Sequence, residues 1–305
     1  MSFVVLDLEW NGSYSKALHR FVNEIIEFGA VKVDDEFNII DTFSVLIKPQ
    51  IGKKLSGKVQ ELTKITNEEL FEKGIPFLDA VNKFTRFSEG SVLMTWSTSD
   101  IHALIENYSY FTGDCRLPFL KKYCNLQAYC ENCLDQSKSS AQLGLSTCAE
   151  LLGIEFSQET QHRAFSDAEL SLKCLKKLRD KKPLDGFIVD SEKSNFYEKI
   201  TYKTRFITDI NSDEIDKKQM RFKCDVCGRR ARRTSKWKLH NKSFSAEFFC
   251  KHCSRAFIGR ISFKKKFDDV TVKKRIVEKR DKKQQHNNDA VYQTIVLDTQ
   301  KDRST

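Results

Sequence analysis

Two carboxylates stand one residue apart at the start of the chain, in SFVVLDLEWNG. Successive side chains of a strand alternate between its faces, so Asp7 and Glu9 share one, about 6–7 Å apart along the chain. Before them, Phe3, Val4, Val5 and Leu6 form the apolar run of a strand buried on both sides. Like charges held this close repel and raise one another's pKa. A divalent cation, an arginine or open water would relieve them, and a solvated strand end is the ordinary alternative. Further along, MTWSTSDIHAL places Asp100 where a strand gives way to a helix, a position that also suits a plain cap or dipole partner. QHRAFSDAEL places His162 five residues before Asp167. On one continuous helix these would point about 140° apart. His162 is therefore expected on the approach to a helix and Asp167 in its first turns. Ser166 and Glu169 fit Ser-x-x-Glu, so a capping box is a rival reading of that stretch.

The second chemical signal is sulfur. CDVC at 224–227 and CKHC at 250–253 make a C-x2-C-x22-C-x2-C array. Two close thiolate pairs separated by a hairpin-length insert build a closed tetrahedral zinc site from Cys224, Cys227, Cys250 and Cys253. Gly228 allows the tight turn that aims backbone amides at sulfur. A domain this small needs such a staple, because its core is small. Between the pairs runs GRRARRTSKWKLHNK. Arg229, Arg230, Arg232, Arg233 and Lys236 can neutralise phosphates, and Trp237 can stack on a base. Alternatively, Trp237 packs the hairpin and the cations dock on an acidic first domain. Cys130 and Cys133, in CENC, raise the question of a second metal. Against it, Cys124 lies where a strand is expected and Cys115 is distant in sequence.

Elements that must position these groups can be read along residues 1–182. SFVVLDLEW is a strand, and EIIEFGAVKVD with FNIIDTFSVLIKP follows as a hairpin. Helical pieces come next: GKVQELTKI, TNEELFEKG behind a Thr66 cap, and PFLDAVNKFTRFS with Pro76 at its start. SVLMTW reads as a strand, SDIHALIENYSYF as a helix and NLQAYC as a short strand. STCAELLGI and FSDAELSLKCLKKLRD are helices, the latter with Phe165, Ala168, Leu172, Leu175 and Leu178 on one face. Regularity fades over 183–216, which reads as a linker; 217–268 is the cysteine-bearing domain, and 269–305 a basic stretch running into a tail with little to bury.

Charge divides along the same lines. The chain carries +10 overall, but residues 217–283 hold 24 Lys and Arg against 6 Asp and Glu, a net of +18, while residues 1–216 carry −7. So dense a basic block suggests a polyanionic partner. No run approaches the ~20 apolar residues of a membrane span. The chain enters a strand directly, without a basic leader or cleavage site, so a cytoplasmic setting with reduced cysteines is expected.

Taken in order and spacing, Asp7, Glu9, Asp100, His162 and Asp167 resemble the DEDDh 3′–5′ exonucleases over about residues 1–180. EIIEFGAVKV resembles the family's second strand, VQELTKITNEEL its loop-helix segment, and HRAFSDAELS its third motif, with the His-x4-Asp spacing that separates this branch from the one using tyrosine. DLEWNG, with TW before STSD, looks most like the Eri-type members, many of which act on RNA 3′ ends. WSTSD stands where that branch more often reads closer to Trp-Gly-x-Trp-Asp, keeping Asp100 as the carboxylate. The resemblance implies an α/β, RNase H-like mixed sheet flanked by helices, followed here by a small zinc ribbon. Phosphodiester hydrolysis needs an activated water and stabilised attacking and leaving oxygens, which two hard cations supply. By similarity, Asp7, Glu9 and Asp167 hold one Mg²⁺ or Mn²⁺, Asp7 bridges to a second, Asp100 helps hold that one, and His162 is the general base. Trp10 and Asn11 are expected at the terminal nucleotide, with Trp10 closing the core edge as the alternative. The implied activity is trimming of single-stranded nucleic-acid 3′ ends, RNA over DNA, with release of nucleoside 5′-monophosphates. A ribonucleoprotein or polymerase partner is expected, and no membrane. A catalytically silent binding or assembly protein and a DNA proofreading module are the competing readings.

Overall fold

The first strand runs further than its apolar core requires. β1 (Ser2–Ser15) pairs antiparallel with β2 (Arg20–Val33) from Phe3 opposite Val33 to Ser15 opposite Arg20, with a bulge between Glu9 and Trp10. β3 (Ile39–Leu46) adds to the outer edge of β2. The computed structural model describes residues 1–136, 142–157, 162–193 and 195–278. It separates into two units, Met1–Thr201 and the chain from Tyr202 onward.

In the first unit, α1 (Gly57–Thr63), α2 (Asn67–Lys73) and α3 (Phe77–Phe87) precede β4 (Ser91–Thr95). Then come α4 (Thr98–Thr112), β5 (Lys122–Asn125), α5 (Leu126–Cys133), α6 (Leu145–Leu151), α7 (Ala164–Leu178), β6 (Ile188–Asp190) and α8 (Phe196–Thr201). The sheet order is β3-β2-β1-β4-β5-β6, with β1, β4 and β5 parallel and the rest antiparallel. Side-chain caps start several helices: Ser56 accepts from the Val59 amide, Thr66 from Glu69 and Ser97 from Ser99.

Period-two alternation sorts β1 between two cores. Phe3 and Val5 face one, closed by α5, α6 and α7; Val4, Leu6 and Leu8 face the other, closed by α3, α4 and α8. Asp7 and Glu9 continue the face of Phe3 and Val5, and so emerge on the side of α7. The expected stripe of α7 (Ala168, Leu172, Leu175 and Leu178) is buried in that core, with Phe165 packed against it. Gly29 is where this helix crosses β2. A Cβ there would lie 2.0 Å from the Phe165 nitrogen and 2.1 Å from the Ala164 carbonyl carbon, so only hydrogen permits the approach.

Three expectations need correction. NLQAYC is not a strand: Asn125 ends β5 and caps α5, accepting from the Ala128 amide, and the following residues are helical. Ser166 is the third residue of α7, whose N-cap, Arg163, makes no side-chain cap bond, so there is no capping box at Ser166. Residues 183–216 are not a linker. β6 joins the sheet, Phe196 enters the first unit's core, and Ile207 and Ile215 are buried in the second's. These apolar residues are too irregularly spaced to show a period, yet each finds a core.

The second unit is antiparallel throughout: β7 (Arg205–Phe206), β8 (Arg232–Arg233), β9 (Lys238–His240), β10 (Ser243–Cys250), β11 (Arg255–Lys265) and β12 (Val270–Glu278). The order is β12-β11-β10-β8, with β7 on β11 and β9 on β10. Phe244, Ala246, Phe248 and Cys250 alternate inward along β10. The basic stretch after 268 forms a strand, Val270–Glu278; the expected tail from 284 lies outside the described residues. No helix among the described residues is long and apolar enough to cross a membrane.

Candidate active site

Four carboxylates from three elements meet at the carboxyl ends of the parallel strands, where open α/β sheets place ligands. β1 carries Asp7 and Glu9, the first turn of α4 carries Asp100, and the first turn of α7 carries Asp167. Asp7 is raised well above the usual carboxylate range, first by burial and then by the charges of Asp100, Asp167, Glu9 and Glu27. Glu9 is pushed up to about 8 by burial, then by Asp167, Glu27 and Asp100, with Arg163 opposing. Asp100, 4% exposed, is pushed up to about 7 by burial; the amides of Asp100 and Leu8 hold it down, and Asp167 raises it. Burial also raises Asp167, against a 3.2 Å hydrogen bond from the His162 amide.

His162 precedes α7 as expected, with a left-handed φ of 64° that a non-glycine residue rarely adopts. Donor atoms of Glu9, His162 and Asp167 lie within 4.8 Å of one another, a span one cation could fill. Asp7 and Asp100 stand outside that trio and join it through charge: Asp167 raises both, and Asp100 raises Asp7. The imidazole is exposed, as proton exchange with solvent requires.

Glu27 and Arg163 complete the site and escaped the sequence reading. Glu27 is 1% exposed and pairs with Glu9 across β1 and β2. Arg163 donates Nε to both Glu27 oxygens, at 3.1 and 3.2 Å, and Nη2 to Oε1 at 2.7 Å; the Ala164 amide donates to Oε2 at 3.0 Å. This fork ties the start of α7 to β2. The available signal was the one acid inside the apolar run IIEFGAV. Arg163 is thus committed to Glu27, and among the described residues no ion pair forms with Asp7, Glu9, Asp100 or Asp167.

Asn11 is an anchor for a loop. It is 3% exposed, donates to Ser13 Oγ at 3.0 Å and to the Lys54 carbonyl at 3.4 Å, and accepts from the Ser56 amide at 3.0 Å. Both of its side-chain N–H groups and its carbonyl oxygen are engaged in holding this loop. Glu24 fixes the same loop, accepting from Ser13 Oγ at 2.5 Å and from the Gln50, Ile51 and Gly52 amides. Trp10 is half-buried beyond the bulge and packs against the second core.

In the second unit the four sulfurs of Cys224, Cys227, Cys250 and Cys253 lie within 4.8 Å of one another, with Cys227 and Cys250 3.6 Å apart. A tetrahedron with metal–sulfur bonds of about 2.3 Å has edges of about 3.8 Å, so the thiols fit one zinc-sized ion. Gly228 takes φ 70°, its amide donates to the Cys224 carbonyl, and the Cys224 amide donates to the Arg229 carbonyl. The Cys253 amide is the first cause holding the Cys250 thiol down at about 7. Cys130 and Cys133 are buried on α5 in an apolar core, and among the described residues no ligand set gathers around them. Arg230, Arg232, Arg233, Lys236 and Trp237 line one groove; Arg229 is exposed outside it.

An exonuclease family model, RNase T, matches residues 4–175. The "Probable 3'-5' exonuclease KapD" of Bacillus subtilis (strain 168) is 29% identical over 181 residues, covering 57% of this chain and 83% of that protein. DNA polymerase III PolC-type of Caldanaerobacter subterraneus subsp. tengcongensis is 30% identical over 183 residues, covering 58% of this chain and 12% of the polymerase. A solved structure described as 3′-end specific recognition of histone mRNA stem-loop by 3′-exonuclease has a TM-score of 0.50 at 20% identity, covering 63% of this chain and 91% of its own. That likeness shows the fold, an RNase H-like mixed sheet flanked by helices.

Proposed function

Because the chain belongs to the RNase T exonuclease family and is a 3′–5′ exonuclease, we propose that it trims single-stranded nucleic-acid 3′ ends, RNA in preference to DNA, and releases nucleoside 5′-monophosphates. The observation that carries this reading is the crowding of Asp7, Glu9, Asp100 and Asp167, every one of them raised, with His162 beside Glu9 and Asp167. Clustered carboxylate oxygens without a counter-ion suit a hard divalent cation, Mg²⁺ or Mn²⁺. Asp7, Glu9 and Asp167 would hold one ion, and Asp7 with Asp100 a second. When bound, such cations stabilise charge on the phosphate and lower the pKa of water.

His162 takes the proton of the attacking water at a ring nitrogen. The hydrogen bond from its backbone N–H to Asp167 Oδ2 keeps the imidazole beside the carboxylates. The Glu27–Arg163 fork holds Asp167 in register with Glu9. Trp10 offers the exposed part of its indole to the terminal nucleotide. The four thiols hold a structural Zn²⁺ in a zinc ribbon, and the basic second unit binds nucleic acid. The RNA preference rests on the likeness of DLEWNG to Eri-type members. Similarity to PolC-type polymerases favours a second reading, DNA proofreading with a polymerase partner. 5′-Labelled RNA and DNA strands of one sequence, incubated in Mg²⁺ or Mn²⁺, decide between them. The proposal expects RNA to shorten faster, in one-nucleotide steps, with 5′-monophosphates as product; faster loss of DNA would turn the reading toward proofreading.

A further inference from the structure

We propose that the second unit carries a groove that binds one unpaired base of a single-stranded nucleic acid against Trp237, with the adjoining phosphates on surrounding arginines and lysines. The inference rests on the reading of this unit as nucleic-acid-binding and gives that binding a place and a strand type. The groove is a cavity of about 880 Å³, within the roughly 300–1,000 Å³ common for ligand sites. Met220, Trp237 and Phe248 supply apolar surface, and Lys217, Arg221, Arg230, Arg232, Arg233 and Lys236 supply charge; no carboxylate lines it.

The aromatic surface is held in place. Trp237 lies 5.8 Å from the Phe248 ring and 6.3 Å from the Phe222 ring, and the Arg233 guanidinium lies 5.8 Å from the Trp237 ring centroid. The turn that carries it is pinned to β10: the Thr234 amide donates to the Glu247 carbonyl, and the Glu247 amide to Ser235 Oγ, both at 2.8 Å. Trp237 is half-buried, so part of the indole stays open to the groove. An indole beside a guanidinium is a stacking surface for a base of any sequence.

Charge and shape together select the occupant. An acidic peptide would answer the cations but not the flat aromatic surface. A duplex presents phosphates, but its base faces are covered by stacking. A single strand presents both phosphates and open base faces. A strand held here is also held at raised effective concentration for the 3′-end site on the same chain.

The test uses the full chain without added divalent cation, so that the strand survives. Affinity for a fluorescein-labelled 20-nucleotide single strand and for the matching duplex is measured by anisotropy against salt, for wild type, Trp237→Ala, Trp237→Phe and Arg230→Gln/Arg233→Gln. Trp237→Ala is expected to weaken single-strand binding about 5- to 100-fold while moving duplex binding less than twofold, and Trp237→Phe to retain most of the affinity. The double glutamine variant is expected to flatten the log–log salt slope by about 1.4, two phosphates at ~0.7 each. Bound zinc is measured in each variant. If Trp237→Ala loses its zinc, the double variant decides, and an unchanged slope there overturns the groove. Single-strand affinity unmoved by a zinc-loaded Trp237→Ala overturns it, as does an equal loss for duplex. Wild-type cleavage is followed in parallel with Mg²⁺. Trp237-dependent binding without cleavage supports the groove and sinks the exonuclease reading; cleavage with Trp237-independent binding does the reverse.

Discussion

Asp7 and Glu9 place charge where burial disfavours it, and the sign of that conflict can be measured. Glu9 is raised from 4.5 to about 8 and Asp100 from 3.8 to about 7. The folded state therefore binds these protons more tightly than the unfolded one. Their contribution to stability falls as pH rises from about 4 to about 8. Metal-free wild type should thus lose Tm over this window relative to Glu9→Gln, and Mg²⁺ should restore it most at the alkaline end. A thermal-melt series across pH checks this; parallel curves for the two proteins would remove the charge conflict from the account. Asp167→Asn should keep the fold and lose turnover. His162→Asn should bind substrate and lose about 10²–10⁴-fold in kcat, as expected of a general base. This layer was legible in the sequence because the order and spacing of the five groups resemble those of a known family, while each group alone had an ordinary reading. Glu27 and Arg163 were not, since an acid inside an apolar strand acquires meaning only when its partner, 136 residues away, is known.

The helix α7 brings Asp167 to β1, and its approach depends on Gly29. Gly29→Ala drives a Cβ into the Phe165 and Ala164 backbone. Overpacking of this kind costs about 1–3 kcal/mol. The forced shift of the α7 start should also lower kcat by about 10²-fold, since a 1 Å misplacement can cost that much. A melt and a single-turnover rate on one preparation check both; unchanged kcat with lowered Tm would mean that the helix start does not set the geometry. The apolar runs of β1, β2 and β4 and the helix stripe of α7 could be read from sequence because each is strongly patterned. NLQAYC could not: the run is short, and its helix is fixed by the Asn125 cap rather than by its own period. Residues 183–216 hid their structure for a different reason, with isolated residues such as Phe196 and Ile215 each serving a separate core.

On the scale of the whole molecule, two units each bury their own core, and among the described residues four thiols gather around one point only in the second. Chelation should therefore abolish one calorimetric transition and leave the other near its original temperature, because a small zinc-held unit folds with its metal. Loss of both transitions together would contradict independent cores. The opposite charges of the two halves were legible from composition; the place where they divide was not, because Tyr202 carries no linker signature. The central claim is that carboxylates and His162 of the first unit hydrolyse nucleic acid from its 3′ end. The most direct measurement is a 5′-labelled single strand with either a free or a blocked 3′ end, incubated in Mg²⁺ with wild type and with Asp7→Asn. The account predicts a ladder shortening one nucleotide at a time for wild type on the free end only, and an intact strand with Asp7→Asn. Shortening that survives Asp7→Asn, or that proceeds equally from a blocked 3′ end, would contradict it.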